Sequence, residues 1–340
     1  MKYWKILGYL IAIIAVFISG WFVRSSLLEE SKLNIVKNII PDKTLEKYAI
    51  ENLGGDNVGE GKFSILQQLS DHEKYESFEF GFEFNPEIKS KEIKKTTGMI
   101  NIPKTDKPLP VILMLRGYVD PTLYQTGTGS KNAAFYFAEN GFITIAPDFL
   151  GYAGSSKESS DIFEARFQTY VTAISLLKSI DQIDKWDGKN VFIWAHSNGG
   201  QIAIVLLESV ERVIPTALWA PVTKPFPYSI LYYTDESADR GKFIRTKLGE
   251  FEELYDVEKY SADNYLDKIN SPLNVHQGSN DDAVPFEWTR SFVKKLKSME
   301  KDVTLYEYSG TDHNMRPSWN LAIQTDLQFF NSKLVLSNDE

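Results

Sequence analysis

Ser197 lies in the run Trp194-Ala195-His196-Ser197-Asn198-Gly199-Gly200, and the chemistry this chain can perform is built around it. Residues 191–195 are largely apolar and read as a buried strand, and a second apolar run continues from the turn to Leu207. Strand, serine-bearing turn and helix is the order that a nucleophile elbow requires. The pattern is G-x-S-x-G with Ala195 in place of the first glycine. Small residues two before and two after the serine keep strand and helix from colliding while a strained backbone pushes the hydroxyl outward. The helix starting just after Ser197 turns free N–H groups and its positive end toward that hydroxyl.

A serine hydroxyl is a poor nucleophile until a base takes its proton. A neutral histidine oriented by a carboxylate does this near neutral pH. The chain has four histidines. His72 precedes the clearly patterned part of the chain. His196, next to Ser197, cannot readily fold back on it, and His276 at the end of an apolar run reads as a buried residue. His313, in the loop Ser309-Gly310-Thr311-Asp312-His313-Asn314, follows a predicted strand, where open α/β sheets hold their sites, and is the base by position. The acid belongs between nucleophile and base in chain order. Asp281 stands 84 residues after Ser197 and 32 before His313, and the adjacent Asp282 satisfies the same spacing.

The tetrahedral oxyanion needs two donors. One is the backbone N–H of Asn198. The other belongs in the loop after the apolar strand 110–116, where Leu115-Arg116-Gly117-Tyr118 offers the Tyr118 N–H, or its hydroxyl, beside a glycine that permits close approach. The chemistry calls for no cofactor and no metal. The absence of cysteine excludes disulfides, thiol catalysis and thiolate metal ligands together.

Strands alternating with helices must position these residues. Phe78, Phe80, Phe82 and Phe84 alternate with polar residues and glycine, a strand with one wet face. Further strands are expected at 95–102, 110–116, 142–147, 191–195, 214–220, 272–276 and 303–308, with helices at 131–140, 161–180, 285–299 and 317–334. This order predicts an α/β fold with a mostly parallel central sheet and helices on both faces. Between 221 and 269 the alternation breaks, which predicts a cap or lid insertion. The net charge of −9, with no basic patch, argues against nucleic acid as a partner.

Residues 6–23 form an 18-residue run without a charge, about 27 Å long as a helix, and Lys2 and Lys5 precede it. Residues 1–24 are thus expected to be a transmembrane anchor, with the remainder outside the cytoplasm. The expected organisation is anchor (1–24), stalk and N-terminal cap segment (25–75), and catalytic domain (76–335) with a lid at about 221–269.

The chain resembles the α/β-hydrolases, most closely the catalytic domain of the prolyl oligopeptidase family and dienelactone-hydrolase-like esterases. The residues that carry the resemblance are Ser197-Asn198-Gly199-Gly200, Asp148 with Gly151 and Gly154-Ser155, Gly278-Ser279-Asn280-Asp281 with Val284-Pro285, and Gly310 with His313. The resemblance implies Ser197, Asp281 and His313 as nucleophile, acid and base, and so prefers Asp281 over Asp282. It implies hydrolysis of a small ester or short peptide through an acyl-enzyme. Two departures stand out. Relatives usually have His before the oxyanion glycine, where this chain has Arg116, a residue for a salt bridge with Asp148 or for gripping an anionic substrate group. Full-length prolyl oligopeptidases also carry a β-propeller, and about fifty residues between the expected anchor and the first strand cannot hold several four-stranded blades. The contrasting expectation is a non-catalytic hydrolase-fold module that binds a partner at the cell surface.

Overall fold

The computed structural model describes residue 24 and residues 43–235 and 237–335. Residues 1–23 of the expected anchor and 25–42 of the expected stalk and cap segment lie outside the described residues. Among the described residues no helix is long and apolar enough to cross a membrane. The described residues from Leu45 onward form one compact unit.

Nine strands make a single sheet: β1 (Lys62–Asp71), β2 (Tyr75–Phe84), β3 (Lys94–Pro103), β4 (Leu109–Leu115), β5 (Ile143–Pro147), β6 (Trp186–His196), β7 (Thr216–Trp219), β8 (Leu273–Gly278) and β9 (Val303–Tyr308). Their order across the sheet is β1-β2-β3-β5-β4-β6-β7-β8-β9. From β5 to β9 all neighbours are parallel, and β3, β2 and β1 add antiparallel at one edge. The helices are α1 (Ile50–Leu53), α2 (Lys131–Glu139), α3 (Ile162–Lys178), α4 (Asn198–Ser209), α5 (Tyr228–Thr234), α6 (Lys242–Leu254), α7 (Phe286–Ser298) and α8 (Trp319–Ser332).

The central strands are apolar without interruption because both of their faces are covered. Val111, Leu113 and Leu115 of β4 and Ile193 and Ala195 of β6 face a core shared with α3, α4 and α7. The alternate residues Ile112, Met114, Phe192 and Trp194 face a second core under α2 and α8. In that second core the Phe192 and Phe330 rings lie 4.9 Å apart, centroid to centroid.

From β4 the chain crosses by α2 to β5 on one side, then returns by α3 to β6 on the other. The sheet order therefore reverses between β4 and β6. A crevice opens at the C-terminal ends of strands at such a switch point. Two pairs of loops meet there because of register. Leu115 pairs with Ala195, which sets Gly117 beside Ser197, and Gly278 pairs with Tyr308, which sets the Asp281 and His313 loops side by side.

Two boundaries differ from expectation. Part of the segment read as a cap is β1, and the compact unit begins at Leu45, with Tyr48, Ile50 and Leu53 fully buried. The strand expected at 191–195 begins earlier, at Trp186, and takes in a bulge at Gly188, where φ is +76°. The region 221–269 contains α5, α6 and short 3-10 turns, and no strand among its described residues.

Candidate active site

Ser197 caps the end of β6 with φ +57° and ψ −121°. A non-glycine residue there costs on the order of 1–3 kcal/mol and persists only where its surroundings hold it. Three main-chain hydrogen bonds do so. The Ser197 N–H donates to the Trp219 carbonyl at 2.9 Å, and the Ser197 carbonyl accepts from Gly200 at 2.9 Å and Val222 at 3.0 Å. The paired glycines are sterically required. A Cβ on Gly199 would sit 2.0 Å from the Leu115 carbonyl oxygen, and one on Gly200 2.5 Å from the Pro221 side chain. α4 can press against β4 at Gly199, and against the turn after β7 at Gly200, only with hydrogen at each position.

Ser197, Asn198, Tyr118 and His313 line one cleft of about 690 Å³. The β4 turn is pressed against the nucleophile: a Cβ on Gly117 would lie 2.8 Å from the Ser197 Cβ. Among the described residues the Asn198 and Tyr118 N–H groups have no hydrogen-bond partner. The Tyr118 side chain is 74% exposed at the cleft mouth.

His313 is held from two sides. Its Nδ1 lies 2.9 Å from Asp281 Oδ2 and 3.0 Å from Oδ1. A carboxylate only accepts, so Nδ1 carries the hydrogen and Nε2 keeps its lone pair. Burial pushes the Asp281 carboxyl up, but hydrogen bonds from His313 and from the Val284 and Ala283 N–H groups outweigh it and hold the group below the usual range. Gln277 Nε2 also donates to Asp281 Oδ2 at 2.8 Å, and Gln277 is itself fixed by the Thr289 hydroxyl at 2.7 Å. Asp282 is exposed and makes no hydrogen bond among the described residues. Of the two aspartates allowed by spacing, the fold brings Asp281 to His313.

The second hold comes from His196. Its Nε2 donates to the main-chain carbonyl of His313 at 2.9 Å, and the two rings are 4.7 Å apart. Burial, then repulsion from a charged His313, pushes the His196 pKa down to about 4. His196 therefore stays neutral near pH 7 and tethers the His313 loop. His276 is fully buried, with Nε2 2.8 Å from Asp326 and Nδ1 2.9 Å from the Tyr308 hydroxyl. It belongs to the sheet–α8 packing, and His72 lies exposed at the β1–β2 turn.

Arg116 does not line the cleft. It is 4% exposed, and its guanidinium lies between the rings of Tyr152 at 4.0 Å and Tyr124 at 4.4 Å. It donates to the main-chain carbonyls of Gly117 at 2.8 Å and Asp148 at 2.6 Å. The expected ion pair with the Asp148 carboxylate is absent, because that carboxylate accepts instead from the hydroxyls of Tyr124 and Thr97 at 2.7 and 2.6 Å. The expected grip on a substrate anion is also not what the geometry offers, since the buried guanidinium donates to the main-chain carbonyls of Gly117 and Asp148.

A sequence profile of the prolyl oligopeptidase family matches residues 129–335, more than half of the chain. The chain belongs to that family. Membership makes the protein a serine hydrolase of the esterase or peptidase kind, and the alternative of a purely binding module gives way to it. Among curated proteins, the acetyl esterase Axe7A of Xylanibacter ruminicola is 25% identical over 212 residues, which cover 55% of this chain and 46% of that protein. The uncharacterized peptidase YtmA of Bacillus subtilis is 23% identical over 237 residues, covering 68% of this chain and 87% of that protein. The chain thus spans less than half of the first relative's length and most of the second's. Among solved structures, the acetyl xylan esterase from Paenibacillus sp. R4 superposes with a TM-score of 0.63 at 14% identity, covering 86% of this chain and 95% of that one. At that identity the likeness is one of fold, and the fold is that of an α/β-hydrolase.

Sequence spacing missed Gln277 and the His196 tether. Neither belongs to a motif: one is a strand residue before Gly278, and the other is hidden beside the nucleophile. Both act through main-chain or amide contacts that only the folded register creates.

Proposed function

We propose that this serine hydrolase cleaves a small carboxylic ester or short peptide through an acyl-enzyme, with Ser197, His313 and Asp281 as nucleophile, base and acid. The observation that carries the reading is the His313–Asp281 pairing, which leaves Nε2 as the free base in the cleft that Ser197 lines. In this reading Nε2 takes the Ser197 proton as Oγ attacks the substrate carbonyl. The oxyanion is received by the Asn198 and Tyr118 N–H groups, aided by the positive end of α4. Protonated His313, stabilised by Asp281, then gives its proton to the leaving alcohol or amine. Water, activated by the same Nε2, releases the acid and regenerates Ser197.

Short-chain 4-nitrophenyl esters and short peptide 4-nitroanilides test this. Hydrolysis of at least one class, abolished by phenylmethylsulfonyl fluoride, is the expected result. A folded protein that turns over neither class contradicts it.

The uncharged run 6–23 leads us to propose further that the chain is anchored in a membrane, with the hydrolase unit outside the cytoplasm. The full chain is then expected in the membrane fraction, released by detergent and resistant to alkaline carbonate. Recovery in the soluble fraction would overturn the anchor without touching the catalytic reading.

A further inference from the structure

Arg166 of α3 lines the same cleft as Ser197 and His313. Among the described residues no carboxylate lies within ion-pairing distance of it. The nearby Glu164 is taken by the Ser159 and Tyr48 hydroxyls and by Lys47. Its one partner is neutral: Arg166 donates to the Gln201 side-chain oxygen. Gln201 is 3% exposed and is fixed in turn by donating to the Lys224 carbonyl at 3.0 Å. The guanidinium is therefore held in place, while most of its five N–H donors are left unused and its Nε is buried without a partner. Ser229 of α5 lines the cleft as well. It is 1% exposed, and its hydroxyl also has no partner among the described residues.

Leaving buried donors unpaired costs on the order of 1–3 kcal/mol each, more for a charged group. Both of these groups line the cleft, where an arriving ligand can accept from them. These groups suit an acceptor-rich, planar anion: a forked cation, pre-oriented by a second residue, with an unpartnered hydroxyl lining the same cleft. Gln201 is four residues beyond Ser197 on the same helix, so the anchor point of the guanidinium is about one turn, roughly 5.4 Å, along α4 from the nucleophile.

We infer that Arg166, with Ser229, is a carboxylate-binding subsite, and that the preferred substrates carry an anionic group a few carbon atoms from the scissile carbonyl. The inference rests on the serine-hydrolase reading above and adds the substrate class to it.

The test compares ester pairs whose members differ by one carboxylate, with the variants correcting for intrinsic reactivity. One pair is 4-nitrophenyl hexanoate and mono-4-nitrophenyl adipate, with the anion on the acyl side. The other is phenyl acetate and 4-acetoxybenzoate, with the anion on the leaving group. The wild-type full chain is expected to prefer the anionic member of at least one pair in kcat/KM. Arg166→Met is expected to reduce that preference about ten- to hundred-fold, mainly through KM, the scale of a lost charged hydrogen bond. Arg166→Lys, which keeps the charge but not the fork, is expected to retain part of it. Should Arg166→Met fail to fold, the Arg166→Lys ratio and a preference in the wild type that weakens with added salt carry the test. Ratios that are unchanged between wild type and variants, or a wild type indifferent to charge in both pairs, overturn the subsite and leave the hydrolase reading standing. Hydrolysis undiminished in Ser197→Ala, or absent for all four esters, removes the hydrolase reading and the inference with it.

Discussion

Ser197→Ala is expected to lower kcat on a good ester by about 10⁴- to 10⁶-fold with no loss of fold. The size follows from losing covalent catalysis altogether, while the Asn198 and Tyr118 donors and the cleft remain to give a residual rate. The fold should survive because the Ser197 hydroxyl makes no hydrogen bond among the described residues, and the three bonds that hold the elbow are main-chain. Alanine also keeps the Cβ that the positive φ already accommodates. Steady-state kinetics beside a thermal melt separate the two effects. An unchanged melting temperature with collapsed activity is the expected pair. Activity within ten-fold of wild type would mean that the nucleophile lies elsewhere.

Asp281→Asn is expected to cost about 10⁴-fold in kcat, and Asp282→Asn less than about two-fold. The difference is a matter of hydrogen-bond polarity. Oδ1 of Asp281 accepts from the N–H groups of Ala283 at 2.9 Å and Val284 at 2.8 Å, so an asparagine would keep its oxygen on that side. Its NH₂ would then replace Oδ2, facing both the Gln277 amide and His313 Nδ1. Two donors would confront each other at Gln277. At His313 the ring would be driven to the tautomer with Nε2 protonated, which cannot take a proton from Ser197. Asp282 points away from these contacts and is exposed. Equal losses in the two variants would show that the acid has been misassigned.

How far each feature was legible in the sequence depends on whether its cause is local. The elbow was legible because a strand, a serine between small residues and a helix leave a contiguous pattern. The reason for Gly199 and Gly200, the approach of α4 to Leu115 and Pro221, appears only in three dimensions. The central strands were legible because burial on two faces makes them continuously apolar. β1 was not. It is an edge strand exposed along nearly its whole length, and bulges near Leu66 and Leu69 break the period-two pattern. Asp281 and Asp282 were inseparable by spacing, because a one-residue choice in a loop is settled by the loop's own N–H groups. Arg116 misled for a different reason. A charged residue next to an oxyanion turn invites a substrate or an ion pair, yet Tyr124 and Tyr152 enclose it and the Gly117 and Asp148 carbonyls accept from it. Arg166 left no trace in any motif, since the cleft it lines with Ser229 is assembled from α3 and α5, which are distant in sequence.

The most direct measurement is to treat the folded protein with a fluorophosphonate and locate the adduct by peptide mass spectrometry. A single phosphonylated residue, Ser197, with labelling lost in Ser197→Ala and strongly slowed in His313→Ala, is the expected result. Absence of an adduct in a protein shown to be folded, or an adduct on another serine, would contradict the assignment of Ser197 as an activated nucleophile.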